Sequence, residues 1–248
     1  MSEKTKWFYT EFKNDTRAVV LLAHGLNLRP DRMDQLAIFF TSNKCDVLRI
    51  SLGADPDKWV DRFHDDYDAA LEHAEVLQRP LYFVGFSLGA LIGIRFLLKH
   101  SDHQFKKLVL FAPATHTHFY TAIPAMLGHL APSIGLPSMN LLNYRERKST
   151  TLNEYKKMHE LQNDIKYALK NNSINIPTLL ITSPNDELVE SSKLIKFAQS
   201  NPHWQCLEVS NHGSQLPRKY NHLMIDSEAL GPEQWEILLK RLISHLSF

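Results

Sequence analysis

From residue 81 to residue 94 the chain carries no formal charge, and at the centre of that run stands Gly85-Phe86-Ser87-Leu88-Gly89. The residues just before it, 81–84, are strand-prone aliphatics and aromatics, while 90–99 continue with helical composition. The run is too short to cross a bilayer as a helix, is interrupted by Ser87 and is closed by Arg95. Strand and helix must therefore both be buried in protein and joined by a tight turn. Such a junction belongs to a parallel sheet covered by helices on both faces, because parallel strands need crossover connections.

The rest of the chain repeats this alternation. Strands are expected at 7–12, 18–23, 46–52, 81–84, 107–111 and 178–182, with a seventh at 205–209. Between them Met33, Leu36, Ala37 and Phe40 share one helix face, as do Trp59, Phe63, Tyr67, Ala70, Leu71 and Ala74, and Trp235, Leu238, Leu239, Leu242 and Ile243 make the closing helix amphipathic. These stripes are read as core packing. The fold class is α/β, a mostly parallel sheet of about seven strands with helices on both faces. The gap between 111 and 178 is too long for a simple crossover, since loops without structure of their own rarely exceed about 15 residues. An inserted helical cap is expected at 115–176, with 1–114 and 177–248 forming the core. Its first half places Phe119, Tyr120, Ile123, Met126, Leu127 and Leu130 at helical spacing without charge, whereas 145–170 is charged and helix-prone. One half should face inward and the other water, and the uncharged half suggests the wall of an apolar pocket.

Charge and composition narrow the function. The 248 residues carry 28 Lys and Arg against 27 Asp and Glu, a formal net charge of +1, so no strong field attracts nucleic acid or an anionic membrane. Two cysteines, Cys45 and Cys206, supply neither a disulfide framework nor a four-ligand zinc site and point to a reducing compartment. Residues 1–13 have no apolar core of a signal peptide, and a cytoplasmic location is expected. Residues 108–144 lack Asp, Glu, Lys and Arg, but Pro113, Pro124, Pro132 and Pro137 break the stretch, so no stable membrane insertion is expected. His116-x-His118 has no carboxylate or cysteine at ligand spacing beside it, and no metal is expected.

The G-x-S-x-G pattern gains meaning from its setting between strand and helix. Flanking glycines allow close approach while the central residue takes a strained conformation that exposes Ser87 Oγ. The Leu88 amide, at the helix N-terminus, then points toward an anion forming beside the hydroxyl.

At these residues the chain resembles the α/β-hydrolase superfamily over nearly its whole length, and among its members small carboxylesterases and monoacylglycerol lipases. His24-Gly25-Leu26, directly after the strand at 18–23, looks like the family's oxyanion turn, in which Leu26 supplies the second backbone donor. Asn27 stands where many relatives carry glycine, and no His-Gly-Gly-Gly run is present. His24 is assigned to bracing the loop. The family order of serine, acid, histidine makes Asp186, in Ser183-Pro184-Asn185-Asp186 just past the strand at 178–182, the expected acid. Glu187 is its nearest substitute, and Ser183 is given no catalytic role. Two histidines, His212 and His222, follow the last strand. Chain order and the spacing to the closing helix favour His222 as the base, with His212 still a candidate.

A serine needs a base to be a nucleophile at neutral pH, and the base needs an acid to hold its tautomer. The resemblance therefore implies a serine hydrolase that cleaves small-molecule carboxylic esters of short or medium acyl chains through an acyl-enzyme, without a cofactor. Thioesterase, amidase or carbon-carbon bond hydrolase chemistry on the same fold stays open, as does a ligand-binding protein without turnover. Nothing in the sequence sets an oligomeric state.

Overall fold

The computed structural model describes residues 4–12, 15–170, 172–217 and 219–248. Its centre is a sheet assembled from β1 (Lys6–Phe8), β2 (Ala18–Ala23), β3 (Cys45–Arg49), β4 (Leu81–Phe86), β5 (Phe105–Phe111), β8 (Thr178–Thr182) and β9 (Trp204–Glu208). The order across this seven-stranded sheet is β1-β3-β2-β4-β5-β8-β9, and only the β1–β3 pair is antiparallel. The crossovers are α1 (Asp34–Ser42), α2 (Trp59–Leu77), α3 (Leu88–Lys99) and α6 (Ser191–Gln199), and α7 (Ser227–Leu230) and α8 (Pro232–Leu246) close the chain.

β2 is buried along its whole length, as a central parallel strand must be. Its alternate side chains go to opposite faces. Val19, Leu21 and Ala23 pack with Trp59, Phe63, Leu91 and Leu194, whereas Ala18, Val20 and Leu22 pack with Met33, Phe40, Leu238 and Leu242. The expected helix faces are therefore the buried ones, except that Leu71 and Leu239 are half-buried and Ile243 is 36% exposed.

Two strands end earlier than hydrophobicity suggests, for the same reason. The expected strand 7–12 stops at Phe8 because the Thr10 amide donates to Asp46 Oδ1 and its hydroxyl to the Thr41 carbonyl. The expected strand 46–52 ends at Arg49, and the Leu52 amide donates to His24 Nε2. In both places a side chain takes a backbone group that the ladder would have used.

Between β5 and β8 the chain makes an excursion containing α4 (Ala122–Leu127), a hairpin of β6 (Gly135–Pro137) and β7 (Ser149–Thr151), and α5 (Leu152–Ala168). The inward and outward halves are the reverse of what the charge pattern suggests. Phe119, Met126 and Leu130 are 82%, 69% and 85% exposed, and Ile123 and Leu127 are also exposed. The charged half forms α5, which buries Leu152, Tyr155, Met158, Leu161 and Ile165. The cause is the geometry of a short helix. α4 rests on α5 through its small residues: Ala125 is buried, and a Cβ on Gly128 would collide with the Leu152 carbonyl. Its large side chains are left outside, while α5 has enough turns to separate an apolar stripe from a charged one.

Candidate active site

Ser87 occupies the turn between β4 and α3 with φ 51° and ψ −112°, a left-handed conformation that a serine adopts only when its surroundings impose it. Its amide donates to the Phe111 carbonyl at the end of β5, and its carbonyl accepts from Leu91 and Ala114. Glycine on either side makes the turn possible. A Cβ on Gly85 would lie 2.7 Å from Ala90 Cα, and one on Gly89 2.6 Å from the His24 carbonyl oxygen. α3 can thus begin directly against the end of β2, and Leu88, its first residue, has an amide that no intrahelical carbonyl can reach.

Asp186 reaches the site from the loop after β8. Its Oδ1 accepts from the amides of Leu188 (2.8 Å) and Val189 (2.9 Å), which holds the loop closed. Its Oδ2 lies 2.8 Å from His222 Nδ1, and His222 Nε2 lies 2.9 Å from Ser87 Oγ. All three residues are buried. A carboxylate can only accept, so Nδ1 carries the proton and Nε2 is free to accept from the serine hydroxyl. His222 is steadied by its own amide, which donates to Glu187 Oε2 at 2.9 Å, and by Phe86, whose ring centroid is 4.9 Å away. Burial, the largest influence, by itself lowers the His222 pKa; the Asp186 charge and hydrogen bond, with Glu187, outweigh it and hold the ring above its ordinary value. Burial also raises Glu187.

The structure thus brings Ser87, Asp186 and His222 together. His212 lies exposed in the turn before Gly213, and Glu187 contacts the His222 backbone rather than its ring. Leu26 lines the same cavity as Ser87 and His222. His24 braces the Leu26 turn: its Nδ1 donates to the Gly25 carbonyl at 2.8 Å while Nε2 accepts from Leu52 at 3.1 Å. Among the described residues no group of His, Cys, Asp and Glu is placed to hold a metal ion.

The cavity at Ser87 encloses about 50 Å³, between Leu26 and Phe86 on the core side and Thr121, Met139, Tyr155 and Met158 of the excursion. No Asp, Glu, Lys or Arg is among its described lining residues. Sequence reading missed the contributions of Tyr155 and Met158, whose only signal is their place on the apolar stripe of a charged helix. It also missed Asn140, a polar residue in an irregular segment that carries no periodic signal.

The chain matches the profile of the serine aminopeptidase S33 family over residues 14–169. No curated protein matches it in sequence. Solved structures share the fold at low identity. A soluble variant of monoglyceride lipase from Saccharomyces cerevisiae aligns with TM-score 0.77 and 12% identity, over 97% of this chain and 89% of that one. The monoacylglycerol lipase of Paleococcus ferrophilus gives 0.68 and 18%, over 99% and 100%. Est1E from Butyrivibrio proteoclasticus gives 0.65 and 12%, over 98% and 94%. Among the described residues no helix is long and apolar enough to cross a membrane.

Proposed function

The chain belongs to the serine aminopeptidase S33 family and is a hydrolase with the α/β fold of esterases and lipases, and from that premise we propose that it cleaves carboxylic esters of short or medium acyl chains through an acyl-enzyme. The observation that carries this reading is the continuous hydrogen-bonded line Ser87–His222–Asp186, buried beside an uncharged cavity. Ser87 Oγ attacks the ester carbonyl while His222 Nε2 takes its proton; the amides of Leu26 and Leu88 receive the oxyanion. The imidazolium, stabilised by Asp186, then protonates the leaving alkoxide, and water repeats the sequence in reverse roles to release the acid.

The cavity walls favour an ester over a peptide. An aminopeptidase must hold a free ammonium, and an ammonium taken out of water without a charged partner is costly; the described walls offer none. Leu26, Phe86, Met139, Met158, Leu188 and Val189 give the wall an apolar surface that suits an acyl chain. Residues 115–176 act in this reading as a cap over a core formed by 1–114 and 177–248. The two thiols, Cys45 and Cys206, both unpaired, support a cytoplasmic location.

The test is labelling and turnover together. A fluorophosphonate should modify Ser87, and Ser87→Ala should abolish hydrolysis of p-nitrophenyl acetate and butyrate. Turnover surviving that substitution would refute the proposal. Faster cleavage of the matched thioester or amide than of the ester would move the activity to that class.

A further inference from the structure

The turn that carries the Leu26 amide is held from two directions. From the core, the Gly25 carbonyl accepts from His24 Nδ1 at 2.8 Å and from the Leu28 amide at 3.3 Å. The turn lies against the serine: a Cβ on Gly25 would be 3.2 Å from Ser87 Cβ. From the excursion, Asn140 Nδ2 donates to the carbonyls of Leu26 (2.9 Å) and Asn27 (3.0 Å), and the Glu146 amide adds a bond to the latter at 3.1 Å.

Asn27 completes the attachment. Its backbone is left-handed, φ 49°, a region that glycine or asparagine enters most readily. Glycine would satisfy the backbone alone. The asparagine side chain, 4% exposed, also spans into the excursion. Its Oδ1 accepts from the Arg147 amide at 2.8 Å, and its Nδ2 lies 3.1 Å from the Arg147 carbonyl, 3.3 Å from that of Ser149 and 3.0 Å from Thr150 Oγ1. The receiving segment is itself anchored. Arg147 makes a two-pronged pair with Glu154, which is fully buried in the first turn of α5 and closes a capping box with Thr151.

We propose that Asn27 and Asn140 are positioning residues that hold the Leu26 N–H in its oxyanion-binding direction, so that the oxyanion site is complete only while segment 140–151 is seated on the turn. The proposal rests on the acyl-transfer reading above. In a trans peptide the N–H points away from the preceding carbonyl. The Leu26 N–H lies in the plane of the Gly25 carbonyl, which His24 and Leu28 hold. Asn140 holds the next plane through the Leu26 carbonyl, and Asn27 ties the turn to residues 147–150, so Leu26 is clamped on both sides and its N–H cannot swing by rotation about its own backbone bonds. Because Tyr155 and Met158 of α5 also line the cavity, the body that contacts bound substrate is the body that orients the oxyanion donor.

The experiment compares wild type, Asn27→Gly and Asn140→Ala on p-nitrophenyl butyrate, with butylboronic acid as a probe of the tetrahedral state. Asn27→Gly keeps the left-handed backbone and removes only the attachment. Removing an oxyanion donor outright lowers kcat by about 100- to 1,000-fold; misaiming one should lower it by about 10- to 100-fold in either variant. KM and the acidic limb of the pH profile should stay unchanged, and boronate affinity should fall in step with kcat/KM. A variant whose melting temperature drops while kcat and boronate affinity stay at wild-type values would overturn the proposal, as would a rise in KM alone. Should Asn27→Gly fail to fold, Asn140→Ala, half-exposed in the structure, decides by the same readouts. Turnover that persists in Ser87→Ala would instead remove the acyl-transfer reading and this proposal with it.

Discussion

Asp186 divides its two oxygens between architecture and chemistry. Oδ1 closes the 186–189 loop through two amides, and Oδ2 faces the imidazole. The two duties can be separated by substitution. Asp186→Asn retains an acceptor for the loop but forces the wrong histidine tautomer, so kcat should fall by about 10⁴-fold with a nearly native melting temperature. Asp186→Ala should lose activity and also about 1–3 kcal/mol of stability, because the buried Val189 amide and the half-buried Leu188 amide lose their acceptor; equal melting temperatures for the two variants would contradict this division. His222 makes a prediction about pH. The base must be neutral to accept a proton, and its pKa is held above the ordinary value of 6.5. Activity should therefore rise with pH through a value above 6.5. Glu187 is one of the groups that raise it, so Glu187→Gln should move the acidic limb of kcat/KM to lower pH, and a limb that stays in place would exclude that contribution.

At the scale of elements, close approach and helix length govern what the site looks like. α3 starts against the end of β2 because residue 89 has no side chain. Gly89→Ala should push the two apart, misplacing the Leu88 amide and the His24–Gly25 turn together. About 1–3 kcal/mol of strain and a loss of activity larger than that destabilisation implies are expected, measured by denaturant unfolding beside kcat. The excursion offers a contrast between its helices. Leu161 of α5 is 2% exposed, and Leu161→Ala should cost about 2–5 kcal/mol. Leu130, just beyond α4, is 85% exposed, and Leu130→Ser should change stability by no more than about 0.5 kcal/mol. The opposite ranking would mean that α4 is buried and α5 peripheral.

For the whole molecule, the sheet order explains why distant residues meet. The turns after β2, β4 and β8 all open at the carboxyl edge of the parallel strands, and the neighbours β2 and β4 mark the place where successive connections run in opposite directions, which is where open α/β sheets form their crevices. Stability should follow the buried histidines. Burial lowers His24, and it lowers His245, whose ring donates to the Leu108 carbonyl, to about 4. Below their ordinary value of 6.5 the unfolded chain binds protons that the folded chain refuses. Stability present above 6.5 is lost as pH falls toward about 4, while the raised His222 acts in the opposite sense. His245→Gln, which can still donate to Leu108, should show a smaller fall in melting temperature between pH 7 and 4.5; an unchanged fall would assign the acid sensitivity elsewhere. The strands, the buried helix faces and the elbow at Ser87 could be read from the sequence, because periodicity and turn chemistry are local properties. Asp186 and His222 came only from the resemblance and its chain order, which left His212 open, and it is the fold that sets His222 between Asp186 and Ser87. The early ends of β1 and β3 were not legible, since Asp46 and His24 take those amides from far along the chain. Nor was the outward face of α4, decided by Gly128 meeting Leu152, nor the attachment of Asn27 to residues 147–150. A side chain's pattern tells how much of it seeks burial, but which neighbour answers depends on contacts that exist only once the chain has closed on itself.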